Sequence, residues 1–190
     1  MDAGARFGVL VPLVEREDGL HVLYEVRALT LRRQPGEVCF PGGKIEGEET
    51  PEECALRETW EELGIPASAI QVLGRLDFIA HRANFIMYPI LALVDREAAE
   101  HMTLNRREVD HTFLVPLSHL LTTQPLEYDY KLIPETGEGF PYELVGIPRD
   151  YRWQAGGENV PVYPWEGHAI WGMTGRITRH LARLIQRLTQ

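Results

Sequence analysis

The chain has 190 residues and a mass of 21.7 kDa, enough to bury a core as one domain without a covalent staple. With 44% hydrophobic and 25% charged residues it has the composition of a folded globular protein and not of a disordered one. A net charge of −9 excludes a sequence-blind electrostatic footprint for nucleic acid, and two cysteines outside any C-x-x-C or zinc-ligand pattern exclude a disulfide framework and suit a reducing compartment.

No apolar run approaches the roughly 18 residues of a membrane span. Pro12 and the charged run Glu15-Arg16-Glu17-Asp18 argue against a signal peptide, so a cytoplasmic protein without membrane contact is expected. Val9 to Val14 and His21 to Arg27 read as strands joined by an acidic turn ending at Gly19. Leu29 to Glu37 is a basic loop with Arg32 and Arg33, and Val38-Cys39-Phe40 is a short apolar stretch stopped by Pro41-Gly42-Gly43. Ile70 to Asp77 and Phe85 to Val94 read as strands, the second buried. Arg96 to Glu108 is a polar connection with room for a short helix. His111 to Val115 reads as a strand and Pro116 to Leu121 as a helical turn. Residues 124–164 are rich in Gly, Pro and aromatics without clean periodicity, with room for a hairpin near Tyr142 to Ile147 and Val160 to Tyr163. Their aromatics suit either an acyl-pantetheine groove or a homodimer contact. Residues 168–188 carry apolar side chains at three and four and are expected to form a C-terminal helix. Strands mixed with two well-separated helices imply helix layers around a mixed sheet, in a single domain over 1–190.

The most informative segment is Gly43 to Ile65. Thr50 suits an N-cap, Pro51 the first helical position, and Glu53 completes a Thr-x-x-Glu capping box. Gly64 suits the left-handed residue after the last turn, and Pro66 prevents continuation. The expected helix is Pro51 to Leu63. Glu58, Glu61 and Glu62 fall on one stripe of it, in the half where the helix dipole disfavours anions. Local propensity does not explain that placement. A solvated acidic face is one account, and a hard divalent cation held by oxygen ligands is the other. Arg57 can reach Glu61 on the next turn or Glu49 in the loop before the helix.

This segment resembles the Nudix box, G-x5-E-x7-R-E-U-x-E-E-x-G-U with U apolar. Gly43, Glu49, Arg57, Glu58, Glu61, Glu62, Gly64 and Ile65 fill it, and Thr59 at the first U is the one departure. The resemblance implies an α/β/α sandwich around a mixed β-sheet. It also implies hydrolysis of a nucleoside diphosphate linked to another moiety, a small-molecule nucleotide substrate, with Mg2+ or Mn2+ held by Glu58, Glu61 and Glu62. Arg57 joins these as a catalytic-site residue. Such enzymes often take a further carboxylate from a downstream loop, and Glu108 is the candidate ligand. Gly42 and Gly43 would let the loop backbone approach the helix closely.

Upstream, Arg27, Ala28, Arg32, Gly36, Phe40, Pro41, Gly42 and Gly43 are similar in register to the signature of the coenzyme A diphosphatase branch, L-L-T-x-R-(S or A)-x3-R-x3-G-x3-F-P-G-G. Tyr24-Glu25 stands where that pattern has Leu-Thr. Ile170-Trp171-Gly172-Met173-Thr174 resembles the branch's Ile-Trp-Gly-x-Thr. The resemblance implies coenzyme A or its thioesters as substrate, with Arg27, Arg32 and Arg33 as phosphate donors. ADP-ribose, another nucleoside diphosphate derivative, or a binding protein without turnover are the alternatives. Phe40 is expected to pack under the box helix.

Overall fold

The computed structural model describes residues 4–81 and 84–189. Elements run β1 (Ala5–Arg16), β2 (Gly19–Arg27), β3 (Val38–Cys39), β4 (Gly42–Lys44), α1 (Pro51–Leu63), β5 (Ile70–Arg75), β6 (Ile79–His81), β7 (Phe85–Val94), α2 (Arg96–Glu100), β8 (Val109–Pro116), α3 (Leu117–Thr122), β9 (Leu126–Leu132), α4 (Tyr142–Val145), β10 (Gly156–Trp165), β11 (His168–Ile170) and α5 (Gly172–Leu188). A 3-10 turn, Ala67–Ala69, follows α1.

The main sheet is mixed. β1 and β7 are parallel over Ala5–Val14, and the other pairings are antiparallel. Its central feature is a fork. β1 and β2 pair only from Leu13 and Val22 to their turn. Beyond that point β1 takes β4 as its neighbour (Val9 opposite Gly42) and β2 takes β3 (Glu25 opposite Cys39). The segment from Val38 to Lys44 therefore lies in the opening between two diverging strands. Leu10 N–H bonds to the Pro41 carbonyl (2.8 Å) and Ile45 N–H to that of Arg6 (2.8 Å), which seals it there.

Strand alternation sorts the core into two layers. Leu10, Val14, Leu23, Ile90, Ala92 and Val94 face Ala55, Leu63 and Ile65 on the α1 side. Val9, Val11, Leu13, Val22, Tyr24 and Val26 face Leu117, Leu120, Ile177 and Leu181 on the α3/α5 side. The result is an α/β/α sandwich around a mixed sheet with a C-terminal helix, as expected.

Three expectations need correction. Residues 168–188 are not one helix, because His168–Ile170 pairs with Tyr163–Trp165 and α5 starts at Gly172. The apolar spacing there fits both periods over so short a piece. Residues 124–164 are not irregular throughout. β9 pairs with β10 from Leu126↔Val162 to Leu132↔Gly156, while Tyr142–Val145 is a helical turn and not a strand. Phe40 is buried on the α3/α5 side, stacked on Tyr24 at 4.9 Å, and not under α1.

The Trp171-to-Thr178 segment ties α5 to the fork. Thr174 Oγ1 donates to the Val38 carbonyl (3.1 Å) and the Tyr24 hydroxyl meets Thr178 Oγ1 (2.8 Å), which itself donates to the Thr174 carbonyl. A side chain at Gly175 would press on the Pro161 carbonyl at 2.6 Å. The Thr178→Val variant leaves a buried phenol O–H without an acceptor and should lose about 1–3 kcal/mol of stability. Chemical denaturation measures this, and an unchanged midpoint would contradict it.

Candidate active site

α1 forms where the sequence places it. Thr50 accepts from Glu53 N–H (3.2 Å), Glu53 accepts from Thr50 N–H (2.7 Å), and Gly64 closes the helix at φ +70°. Thr59, the departure from the box, is buried and spends its hydroxyl on the Ala55 carbonyl (2.7 Å). The helix is thus fixed at both ends, and its acidic stripe is aimed at the fork.

Arg57 is the hub of the outer part. It donates through Nε (3.2 Å) and Nη2 (2.9 Å) to both oxygens of Glu49, and through Nη1 to Glu58 (2.9 Å) and Glu61 (3.2 Å). Both sequence-level partners of Arg57 are therefore used at once. Glu49 is held to about 2 by that guanidinium, helped by Glu46 N–H. Gly43 leaves no atom between the loop and α1, since a Cβ there would overlap the Glu58 carboxyl. Gly42 serves differently. Its N–H donates to Glu62 Oε2 (2.9 Å), and a Cβ on it would meet the Val9 backbone at 2.6 Å.

The inner part is acidic; Glu62 and Glu25 in it are buried, Glu58 is half-buried and Glu108 is exposed. Glu62 is 4% exposed, and burial, with Glu25, Glu58 and Glu108 nearby, pushes its carboxyl well above the usual range. Glu58 is raised by burial against the opposing pull of Arg57. Glu108 arrives by backbone: Asn105 N–H bonds the Glu62 carbonyl (2.8 Å), Glu108 N–H bonds that of Asn105 (2.9 Å), and Ala28 N–H bonds that of Glu108 (2.8 Å). Glu61 stays exposed on the rim with Arg57.

Glu25 is the member that sequence reasoning missed. It is 1% exposed on β2, accepts from the Cys39 thiol (3.2 Å), and is raised by burial and by Glu108 and Glu58. The available signal was a charged residue at an inward strand position, two after Leu23, where the branch pattern has threonine. Arg27, two residues further along β2 and past a register shift against β8, is half-buried. Its Nη2 donates to the Arg33 carbonyl (3.4 Å) while its buried Nε has no hydrogen-bond partner among the described residues. Arg32 and Arg33 lie exposed on the loop that Arg27 closes by bonds to Gly36 and Glu37.

Three helix carboxylates and a buried fourth oppose few cations, and all offer oxygen, the donor that Mg2+ and Mn2+ prefer. Among the described residues no three His, Cys, Asp or Glu side chains are already gathered at ligand spacing. Arg57 holds Glu58 and Glu61 to itself. Because one stripe of α1 carries all three, side-chain rotation would draw them together, so the donor set fits a divalent cation.

The pattern described as the NUDIX domain matches residues 4–135. The chain belongs to the Nudix hydrolase family. Mitochondrial coenzyme A diphosphatase NUDT8 of Homo sapiens is 33% identical over 183 residues, covering 95% of this chain and 70% of that one. Peroxisomal coenzyme A diphosphatase NUDT7 of Mus musculus is 35% identical over 136 residues, covering 71% and 56%. Nudix hydrolase 3 of Caenorhabditis elegans is 38% identical over 122 residues, covering 63% and 51%, so against these last two the match spans about half of the relative. The crystal structure of RenU, a Nudix hydrolase from M. smegmatis, superposes at TM-score 0.51 with 25% identity, over 61% of this chain and 71% of that one. The family pattern ends at residue 135, after β9 and before α4. Divalent-metal dependence is a property of the family as a whole.

Glu25, Glu58 and Glu62 bind protons more tightly when folded than at their ordinary value of 4.5. Their stabilising protonated forms are fully populated below that value, so stability is lost as pH rises above it and through neutrality. The chelator-treated protein should melt at falling temperature across that range, and millimolar Mg2+ or Mn2+ should flatten the decline. Calorimetry at a series of pH values checks this, and a flat metal-free profile would contradict it.

Proposed function

We propose that this Nudix hydrolase cleaves the diphosphate of coenzyme A or an acyl-coenzyme A in a reaction that requires Mg2+ or Mn2+. Water adds at one phosphorus, the bridging P–O bond breaks, and the products are 3′-phosphoadenosine 5′-phosphate and 4′-phosphopantetheine or its acyl form. The carrying observation is Arg27. Its half-buried side chain stands at the end of β2 within electrostatic reach of Glu25, and its buried Nε has no hydrogen-bond partner among the described residues, so the protein's own contacts leave donor capacity of this guanidinium unused. The branch signature in register from Arg27 to Gly43 and the names of the NUDT7 and NUDT8 relatives support the same substrate class.

Glu58, Glu61 and Glu62, with Glu108 from the loop before β8, would hold the cation. When bound it supplies the charge that lets a diphosphate approach so acidic a site and polarises its oxygens. Arg57, braced on Glu49, positions Glu58 and Glu61. The Gly42 N–H orients Glu62. Arg27, Arg32 and Arg33 bind phosphate oxygens, and the exposure of the last two suits the 3′-phosphate or the outer end of the ligand.

A panel of diphosphate compounds assayed with each metal and read by product mass tests the substrate. Coenzyme A compounds should give the two products above, and turnover of ADP-ribose alone would replace the reading. Glu61→Gln and Glu62→Gln should each lower turnover at least about 100-fold, and full activity at limiting metal would contradict their role. Arg27→Ala or Arg32→Ala should cost about 10- to 150-fold in kcat/KM on coenzyme A and far less on its 3′-dephospho form. Equal losses on both compounds would assign these arginines to the diphosphate instead.

A further inference from the structure

We propose that Glu25 is a further carboxylate of the cation site, contributed by the sheet and facing the helix carboxylates across the fork. This rests on the reading of Glu58, Glu61 and Glu62 as the cation-holding residues. The Nudix box, Gly43 to Ile65, does not reach Glu25, and the branch signature has threonine there.

Placement comes from strand alternation. Leu23 packs into the layer with Ala55 and Leu63 of α1, and Glu25 is the next residue of β2 on that face. Its Oε1 accepts the Cys39 thiol, while its Oε2 is buried with no hydrogen-bond partner among the described residues. The fold does not ask for a carboxylate here. β2 satisfies its backbone through β3 and β8, and an uncharged side chain would serve the packing. A buried carboxylate with an empty oxygen is costly unless a charge meets it in the working state.

The groups that act on Glu25 come from every surrounding element. Glu58 and Glu62 are on α1, Glu108 is on the loop before β8, Cys39 is on β3, and Arg27 is on β2 itself. Three acids and a thiol thus surround it with one cation, and no ion pair joins Glu25 to Arg27 among the described residues. Burial does not disqualify it as a ligand, since Glu62 is nearly as buried in the same structure. What the cluster lacks is a small positive charge with oxygen affinity. A divalent cation placed between sheet and helix meets the orphaned oxygen and relieves the repulsion from Glu62 at once. The extra carboxylate should make this chain retain the cation more tightly than a threonine-bearing version would.

The test is Mn2+ titration of the substrate-free full chain, followed by electron paramagnetic resonance of the free ion, on the wild type, Glu25→Gln, Glu25→Thr and Glu62→Gln. Both Glu25 variants should bind Mn2+ at least about 10-fold more weakly. In chelator they should melt no lower than the wild type, which separates a lost ligand from a lost fold. Wild-type affinity in both Glu25 variants, with Glu62→Gln impaired, would overturn the proposal and leave the helix site standing. Equal binding by wild type and Glu62→Gln, or none by the wild type, would overturn the helix reading and this proposal together.

Discussion

The structure depends on one unfavourable interaction: like-charged carboxylates confined under a helix with a single arginine among those on its rim. Glu58, Glu62 and Glu25 are drawn out of water by the packing of α1 on the fork, and each is destabilised as an anion by that burial. The elements around them hold this arrangement in place. The capping box and the left-handed Gly64 fix the helix ends, Gly42 and Gly43 let the loop close on it, and Arg57 fixes the rim. A sequence that builds so much local precision around mutual repulsion has a use for the repulsion. On the reading proposed above, a divalent cation would offset it, and with that charge in place an anionic diphosphate could approach.

The other face of the sheet serves the same site at a distance. α5 reaches through the sheet edge by Thr174 to Val38 and by Thr178 to Tyr24, and Tyr24 stacks on Phe40, the residue just before Pro41-Gly42-Gly43. The position of the glycine loop is therefore set from below by an aromatic stack and a C-terminal helix, and from above by α1. This gives the Ile170-to-Thr174 motif a structural reason: it fastens the strand that enters the fork. Gly175 belongs to the same fastening, because only a residue without a side chain fits against the Pro161 carbonyl there.

Local chemistry made much of this legible in the sequence. α1 has the predicted bounds because caps, proline and glycine act within a turn of the residue that carries them. Arg57 finds both predicted partners for the same reason. The fork was not legible. It arises from β1 and β2 exchanging neighbours, a non-local event that leaves no period in either strand. Glu25 was hidden with it, since a glutamate beside a tyrosine in a strand reads as solvent-facing until the register is known. The β9–β10 pairing joins residues some 30 apart through a long connection; β9 itself, from Leu126 to Leu132, alternates apolar and polar residues and carried a strand signal, but nothing local to it names its partner.

The central claim is that the carboxylates of α1 and the fork are the seat of a divalent cation. Anomalous scattering from crystals grown with Mn2+ tests it most directly. The account predicts a peak between α1 and β2 within bonding distance of Glu58 and Glu62 oxygens, with Arg57 withdrawn from at least one of its present partners. A peak bound elsewhere, with the α1 carboxylates still held by Arg57 and Gly42, would contradict it.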